Sequence, residues 1–338
     1  MDVNEVWWEL GSRWSRADLE ALLARVSELD VPGERVLALA RALAGTPFHY
    51  ESMLSIPPPG CLRVRLESLD CATLVYNVLA MAYSPTPTDL VHHLARLRYQ
   101  HDVGRPIDSD PTDGNILGFS SECLLGQAAE LGYLKDVTAD VAGGPEGLTE
   151  LELELRACRR PREHDPDERL EKPRFGDGLR RARFLARAAF PSARWEQVRS
   201  GDLIAFTRGP RLKDGSANTD FVNHLAIAEQ TGGTPGFIHA TRHFAWNPHA
   251  TPDAPVRWTG IFYGTGRQRE QIGVGPGGVY AGDSTALDVE GSRLHGYEMD
   301  RPRPLRDFAE GIFAGIFVLR PIPLPARPAP TARRDGTA

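Results

Sequence analysis

Nowhere does the sequence hold an apolar run approaching the ~20 residues that a membrane-crossing helix requires, so no membrane span is expected. It has no CxxC pair, and its four cysteines (Cys61, Cys71, Cys123 and Cys158) stand at no metal-ligand spacing. A chain of 338 residues can build a large apolar core, and no disulfide framework is expected. Charge is slight too. A formal net of −6 offers no reason to expect nucleic acid or an anionic membrane surface as partner. The opening residues, MDVNEVWWELGSRWSRADLE, lack a basic stretch followed by an apolar one, so no secretory leader is expected. The product is accordingly expected in the cytoplasm as synthesised, either to act there or to leave by a leaderless route. Glycine (33) and proline (27) are plentiful instead and imply many loops.

What is present centres on Leu62 to Tyr83, LRVRLESLDCATLVYNVLAMAY. Leu62, Val64 and Leu66 alternate with Arg63, Arg65 and Glu67, which predicts a short strand with one buried face. The period then changes. Leu74, Val75, Val78, Leu79 and Ala82 share a helical stripe, and Ser84-Pro85 stops it. Ser68 and Asp70 are both candidate N-caps, which puts Cys71 in the first turn of an apolar helix. A thiol there feels the positive helix end and unpaired N–H groups, which favour thiolate, so Cys71 is expected to be the one thiol with a depressed pKa. The alternative for Cys71 is a buried core cysteine.

Ahead of this stretch, Ser15 to Leu29 and Val36 to Leu43 predict a helical pair separated by Pro32-Gly33, with Trp7, Trp8 and Trp14 as buried anchors. Behind it, Thr88 to Tyr99 predicts a helix on which His92 and His93 point apart, unsuited to one metal. A loop at Pro111 to Asn115 leads to a helix through Cys123, and Leu134 to Val141 reads as extended. Residues 143–174 combine LTELELEL with the charged, proline-broken RRPREHDPDERLEKPR and are expected to form a surface insertion holding Cys158 and His164. Leu179, Phe184, Leu185 and Ala188 predict a further helix ending at Pro191.

From Trp195 the texture turns to β. GDLIAFT (Gly201 to Thr207), NHLAIAEQ (Asn223 to Gln230) and FIHATRHF (Phe237 to Phe244) predict a meander of three strands. Alternation groups His224 with Ala226 and Ala228, and His239 with Thr241 and His243. WTGIFYG and GGVYAGD read as short strands, and AGIFVLRPI (Ala314 to Ile322) as an apolar one. The proline-rich end from Pro323 is expected to be disordered. The domains expected are a helical extension at 1–44, a catalytic domain at 45–322 and a tail at 323–338. The His239–His243 spacing is that of a zinc helix, but it sits in a β pattern without the HExxH glutamate.

In order along the chain, LDCATLV, GDLIAF, HLAIA and FIHAT resemble the NlpC-type cell-wall cysteine peptidases, papain-like hydrolases of bacterial peptidoglycan. GTPF, RLESLDCATLV, LRYQ, YLKDVT and GIFVLRP resemble one branch of them, the N-acetylmuramoyl-L-alanine amidase-like proteins, over roughly Gly45 to Pro321. The resemblance implies an α+β fold in which a helical half carrying the cysteine packs on an antiparallel sheet carrying the histidines. It implies Cys71 as nucleophile, His224 as general base and His239 as the residue that orients His224, with no cofactor and no metal. Asp70, Phe48, Tyr50, Asn115, Asn223 and His243 are the candidate substrate contacts. The chain departs from the branch at Gly114 to Phe119, which lacks a histidine and arginine, and at Phe48, where relatives carry tyrosine.

Amide hydrolysis needs a nucleophile, a base and oxyanion donors. Cys71, an imidazole and the helix-start N–H groups can supply them. The implied partner is a peptidoglycan stem peptide or muropeptide, cut at the muramoyl–L-alanine amide or at the γ-D-glutamyl–diamino acid link. Short polar side chains in two loops (Asp110, Asp113, Asn115, Lys213, Asp214, Asn218) suit such a ligand. A papain-like acyltransferase or deamidase, acting as a secreted effector, would use the same residues, and a catalytically silent binding module is the third reading.

Overall fold

The computed structural model describes residues 6–44, 46, 62–98, 121–155, 178–209, 221–231, 234–244, 257–263 and 305–324. Strand β1 (Val6–Glu9) lies parallel to β2 (Leu62–Arg65). Between them come α1 (Arg16–Ser27) and α2 (Pro32–Ala42). Ser15 starts α1 with a reciprocal capping box, its hydroxyl accepting Asp18 N–H while Asp18 accepts Ser15 N–H. Pro32 occupies the first turn of α2, where its missing N–H costs nothing. Among the three tryptophans, Trp7 departs from the expected burial and is 44% exposed. On β1, neighbouring residues face opposite ways, so Trp8 packs on the core and Trp7 turns out.

Helix α3 (Cys71–Ala82) is the centre of the helical half, with every residue from Thr73 to Ala82 buried. Around it pack α1, α2, α4 (Pro87–Arg98) and, from the other side, the main sheet. Helix α5 (Ser121–Glu130) follows. A hydrophobic stripe on each neighbour closes on α3, and each fully buried Leu or Val contributes about 1.5–3 kcal/mol relative to exposure. Arg35 ties the bundle together by donating to Leu29 O, Ala82 O and Ser27 O, the carbonyl ends of α1 and α3.

Among the described residues the main sheet has eight strands. They are β3 (Leu134–Asp136), β4 (Thr149–Leu155), β5 (Gly178–Ala186), β6 (Leu203–Thr207), β7 (Val222–Thr231), β8 (Thr234–Phe244), β9 (Arg257–Tyr263) and β10 (Gly315–Pro321). The order is β4-β5-β10-β6-β7-β8-β9, with β3 beside β10, so the expected meander β6-β7-β8 is one antiparallel run. One face, with Leu203, Ala205, Leu225, Ile227, Ile238 and Ala240, packs on the helical half. The other, with Ile204, Phe206, Ala226, Ala228, Phe237 and Val318, packs on Phe190 and on α7 (Leu305–Ile312) with Phe313. This is an α+β fold, as expected.

Three segments correct the sequence reading. Residues 179–188, expected as a helix, form most of β5 and the start of a 3-10 turn. Their apolar residues also fit a strand, and pairing with β4 decides it: Glu150 sits opposite Arg183 and Glu152 opposite Arg181. LTELELEL, expected within the surface insertion, is therefore part of the sheet. Leu134 to Val141 is extended only through β3, after which Thr138–Ala142 forms α6, started where Asp136 accepts Thr138 N–H at 2.8 Å. RRPREHDPDERLEKPR, GGVYAGD, the tail from residue 325 and the loops at Pro111 to Asn115 and 210–220 lie outside the described residues, whereas Leu324, expected in the disordered tail, packs on the first cluster.

Candidate active site

Asp70 caps α3, accepting Thr73 N–H at 2.7 Å, and Cys71 is the first helical residue. The cap and the apolar run behind it place the thiol at the helix start, as the sequence predicts. Asp70, a candidate substrate contact, is thus turned back into the helix and largely buried. The body of α3 lies on the sheet face formed by β7 and β8. At that junction the backbone N–H of Leu225 lies beside the Cys71 thiol and favours its thiolate, as do the N–H groups of Ala72 and of Cys71 itself. Leu225 directly follows His224, so the thiol meets β7 one residue from the expected base.

His224 and His239 are joined side chain to side chain, Nε2 to Nδ1, at 2.7 Å. The register explains how. β7 and β8 pair from Ile227 opposite Ile238 to Thr231 opposite Thr234, and the histidines reach each other diagonally beyond that ladder. His239 is fully buried, with Phe237 edge-on at 4.9 Å. His224 is half-buried, stacked on Phe206 (5.6 Å) and parallel to Phe313 (6.1 Å). These rings belong to the second cluster, whereas Cys71 packs with the first. The thiol thus packs with the first cluster and the imidazole stacks on rings of the second, one residue apart along β7. Among the described residues no hydrogen bond joins Cys71 to either histidine.

The expected depression of the thiol pKa does not hold. Burial pushes Cys71 from 9.0 up to about 12, the neighbouring Asp70 carboxylate adds to it, and the three N–H groups only partly offset this. The bare thiolate is thus about 4 kcal/mol harder to form here than in water. A helix N-terminus contributes about 0.3–1 kcal/mol at most exposed sites, so desolvation wins. A thiolate at Cys71 needs a cation beside it or a base that takes the proton as the sulfur attacks.

The remaining candidates are placed as follows. Asn223 is half-buried on β7, and its hydrogen-bonding pattern assigns the amide oxygen to the side facing the Arg208 guanidinium. His243 lies on β8 opposite Trp258 of β9, with its side chain outside the described atoms, and Phe48, Tyr50 and Asn115 lie outside the described residues. Among the described residues no three His, Cys, Asp or Glu side chains converge as metal ligands would, and no helix is long and apolar enough to cross a membrane. Sequence reasoning missed Leu225 N–H, Arg208 and the Phe206–Phe313 wall. A backbone donor carries no signature in the sequence, and the irregularity at Asn223 is set by pairing with β6.

The mixed α+β architecture is shared with solved amidase-like structures. An N-acetylmuramoyl-L-alanine amidase from Bacteroides uniformis ATCC 8492 superposes with a TM-score of 0.53 at 17% identity, over 86% of this chain and 98% of that one. A protein of the DUF1460 family from Legionella pneumophila str. Philadelphia 1 superposes with a TM-score of 0.56 at 13% identity, over 91% and 94%. At these identities the likeness is one of fold. The family model described as N-acetylmuramoyl-L-alanine amidase-like matches residues 38–247, more than half of the chain, and the chain belongs to that family. A search of curated proteins found no match.

Proposed function

We propose that the chain is a cysteine-dependent peptidoglycan hydrolase that cuts an amide bond of the stem peptide, with the papain-like, NlpC-type division of labour among Cys71, His224 and His239. Family membership supports the substrate class. The observation that carries the residue assignment is the packing of the Cys71 helix on β7, which brings the thiol beside Leu225, one residue from the hydrogen-bonded His224–His239 pair.

For His224 to accept a proton at Nδ1, its Nε2 must carry hydrogen and donate to Nδ1 of His239, which places the His239 hydrogen on Nε2. His239 then fixes the tautomer and orientation of the base. The Cys71 sulfur attacks the amide carbonyl carbon as its proton passes to His224. The C–N bond breaks, the amine leaves with that proton, and water, deprotonated by His224, hydrolyses the thioester. The N–H groups of Cys71 and Ala72 are the oxyanion donors. The Cys71–His224 contact closes in the substrate complex, as catalytic hydrogen bonds that are long in unliganded sites commonly do. The family's name favours the muramoyl–L-alanine amide as the bond cut.

Mass spectrometry of digested muropeptides tests the proposal. Free stem peptide is expected from the wild type, with or without chelator, and none from Cys71→Ala or His224→Ala. His239→Ala is expected to lose about 10²-fold in rate, and His239→Asn less, because its amide oxygen can still accept from His224. Release of L-Ala-D-Glu moves the cut to the γ-D-glutamyl link. Full activity in Cys71→Ala would sink the cysteine mechanism.

A further inference from the structure

The strand that carries His224 is irregular immediately before it. Phe206 of β6 pairs with His224, but the next residue, Thr207, pairs with Val222, so Asn223 is an extra residue and the ladder bulges there. Bulges of this kind bend a strand, raise its twist and re-aim the side chain beside them. This one is fastened on both flanks. Arg208 N–H donates to Phe221 O at 2.8 Å, and Ala314 N–H donates to Thr207 O at 2.8 Å. With its oxygen facing the guanidinium, the Asn223 amide accepts from Arg208 Nε at 2.8 Å and Nη2 at 3.0 Å. A two-pronged contact from a planar guanidinium fixes orientation as well as distance.

We propose that Asn223, clamped by Arg208, is a positioning residue that sets the bulge and thereby the aim of the His224 imidazole. The inference rests on His224 being the base. His224 is already held on its far side by His239 and along its ring by Phe206 and Phe313. Those contacts fix the ring plane; the backbone turn at Asn223 fixes where the Cβ of His224 starts from. Because the thiol meets β7 one residue from His224, a small change in that turn alters whether thiol and imidazole meet. A substrate contact at Asn223, the role expected from sequence, makes a different prediction, since it needs no partner at Arg208.

The test uses the full chain and two readouts. Turnover of muropeptides gives kcat and KM separately, and the pH profile of Cys71 alkylation by iodoacetamide reports the thiol–imidazole coupling without substrate. Asn223→Ala and Arg208→Met are each expected to lower kcat about tenfold or more with KM nearly unchanged, since small misplacements of a base are costly. The double variant should be no worse than either single one. Asn223→Asp, whose carboxylate keeps the acceptor for Arg208, should restore kcat, which also guards against a variant that merely unfolds. In Asn223→Ala the alkylation profile should move toward that of His224→Ala. A raised KM with wild-type kcat in Asn223→Ala, or an Arg208→Met enzyme equal to wild type, overturns the clamp. Undiminished turnover in His224→Ala overturns instead the assignment of the base, so the two failures are distinguishable.

Discussion

Acids whose pKa is raised by desolvation, among them Cys71, Tyr83 and Tyr133, set how the protein responds to alkali. Cys71 is pushed up to about 12 from 9.0 and Tyr133 to about 12 from 10.0, in each case first by burial. Tyr133 is fully buried with its hydroxyl 2.6 Å from His93 Nδ1, and burial penalises its phenolate. With folded pKa values above the unfolded ones, the unfolded chain releases these protons first as pH rises. Their contribution to stability is therefore complete below about pH 9 and is lost toward pH 12. The melting temperature is expected to fall through that window, and less steeply in Cys71→Ala and in Tyr133→Phe. Thermal melts at a series of pH values check this by slope, because Tyr133→Phe also loses its contact with His93. Parallel slopes in all three proteins would show that other groups control the alkaline limb.

Elements are joined by ion pairs of unequal worth. Asp202, in the turn entering β6, is 1% exposed and meets Arg320 of β10 with two bonds of 2.9 and 2.8 Å, while also accepting Arg199 N–H. Removing one partner of such a pair leaves the other charge buried, which costs about 3–5 kcal/mol. On the β4–β5 ribbon, Glu152 and Arg181 are 58% and 72% exposed at 3.5 Å, where water screens the pair. Urea denaturation is therefore expected to show Asp202→Ala strongly destabilised and Glu152→Ala within about 0.5 kcal/mol of wild type. Equal effects would mean that Arg320 finds another acceptor. The ribbon's charges serve another end: β4 is the sheet's outer strand, and a row of glutamates and arginines discourages pairing with a second chain.

At the scale of the molecule, the helical half and the sheet meet backbone to backbone. Gly201, at φ +85°, lies so close to the start of α2 that an added Cβ would stand 1.9 Å from Gly33 O. Nearby, Arg41 of α2 reaches the buried Glu229 of β7. Both contacts hold α2 against the sheet, and α2 in turn helps to bury α3, whose first residue is Cys71. Gly201→Ala combines a backbone conformation that side chains resist with a clash against another backbone. It is expected to destabilise by more than about 2 kcal/mol and to lower activity, because α3 loses its backing. Calorimetry with a parallel turnover assay checks both, and an unchanged melting temperature would show that α2 can move aside cheaply.

The same division separates what was legible in the residues from what was not. Helix α3, its cap at Asp70, the cysteine at its start and the run β6-β7-β8 are written in signals a few residues long: a capping side chain, a 3.6-residue stripe, an alternation of two. Those signals placed Cys71, His224 and His239 on their elements, and the family resemblance brought the three together. They could not decide that Leu179 to Ala186 is a strand, because its apolar positions fit both periods and only pairing with Glu150 and Glu152 separates them. Nor could they show that Trp7 faces out, or that Asn223 bulges against Thr207. The thiol makes the point most sharply. Its place at a helix start is local and argues for thiolate; the burial that raises it comes from a sheet some 150 residues further along the chain. Desolvation and register are set by which distant surfaces close on a residue, so tertiary packing alone decided them.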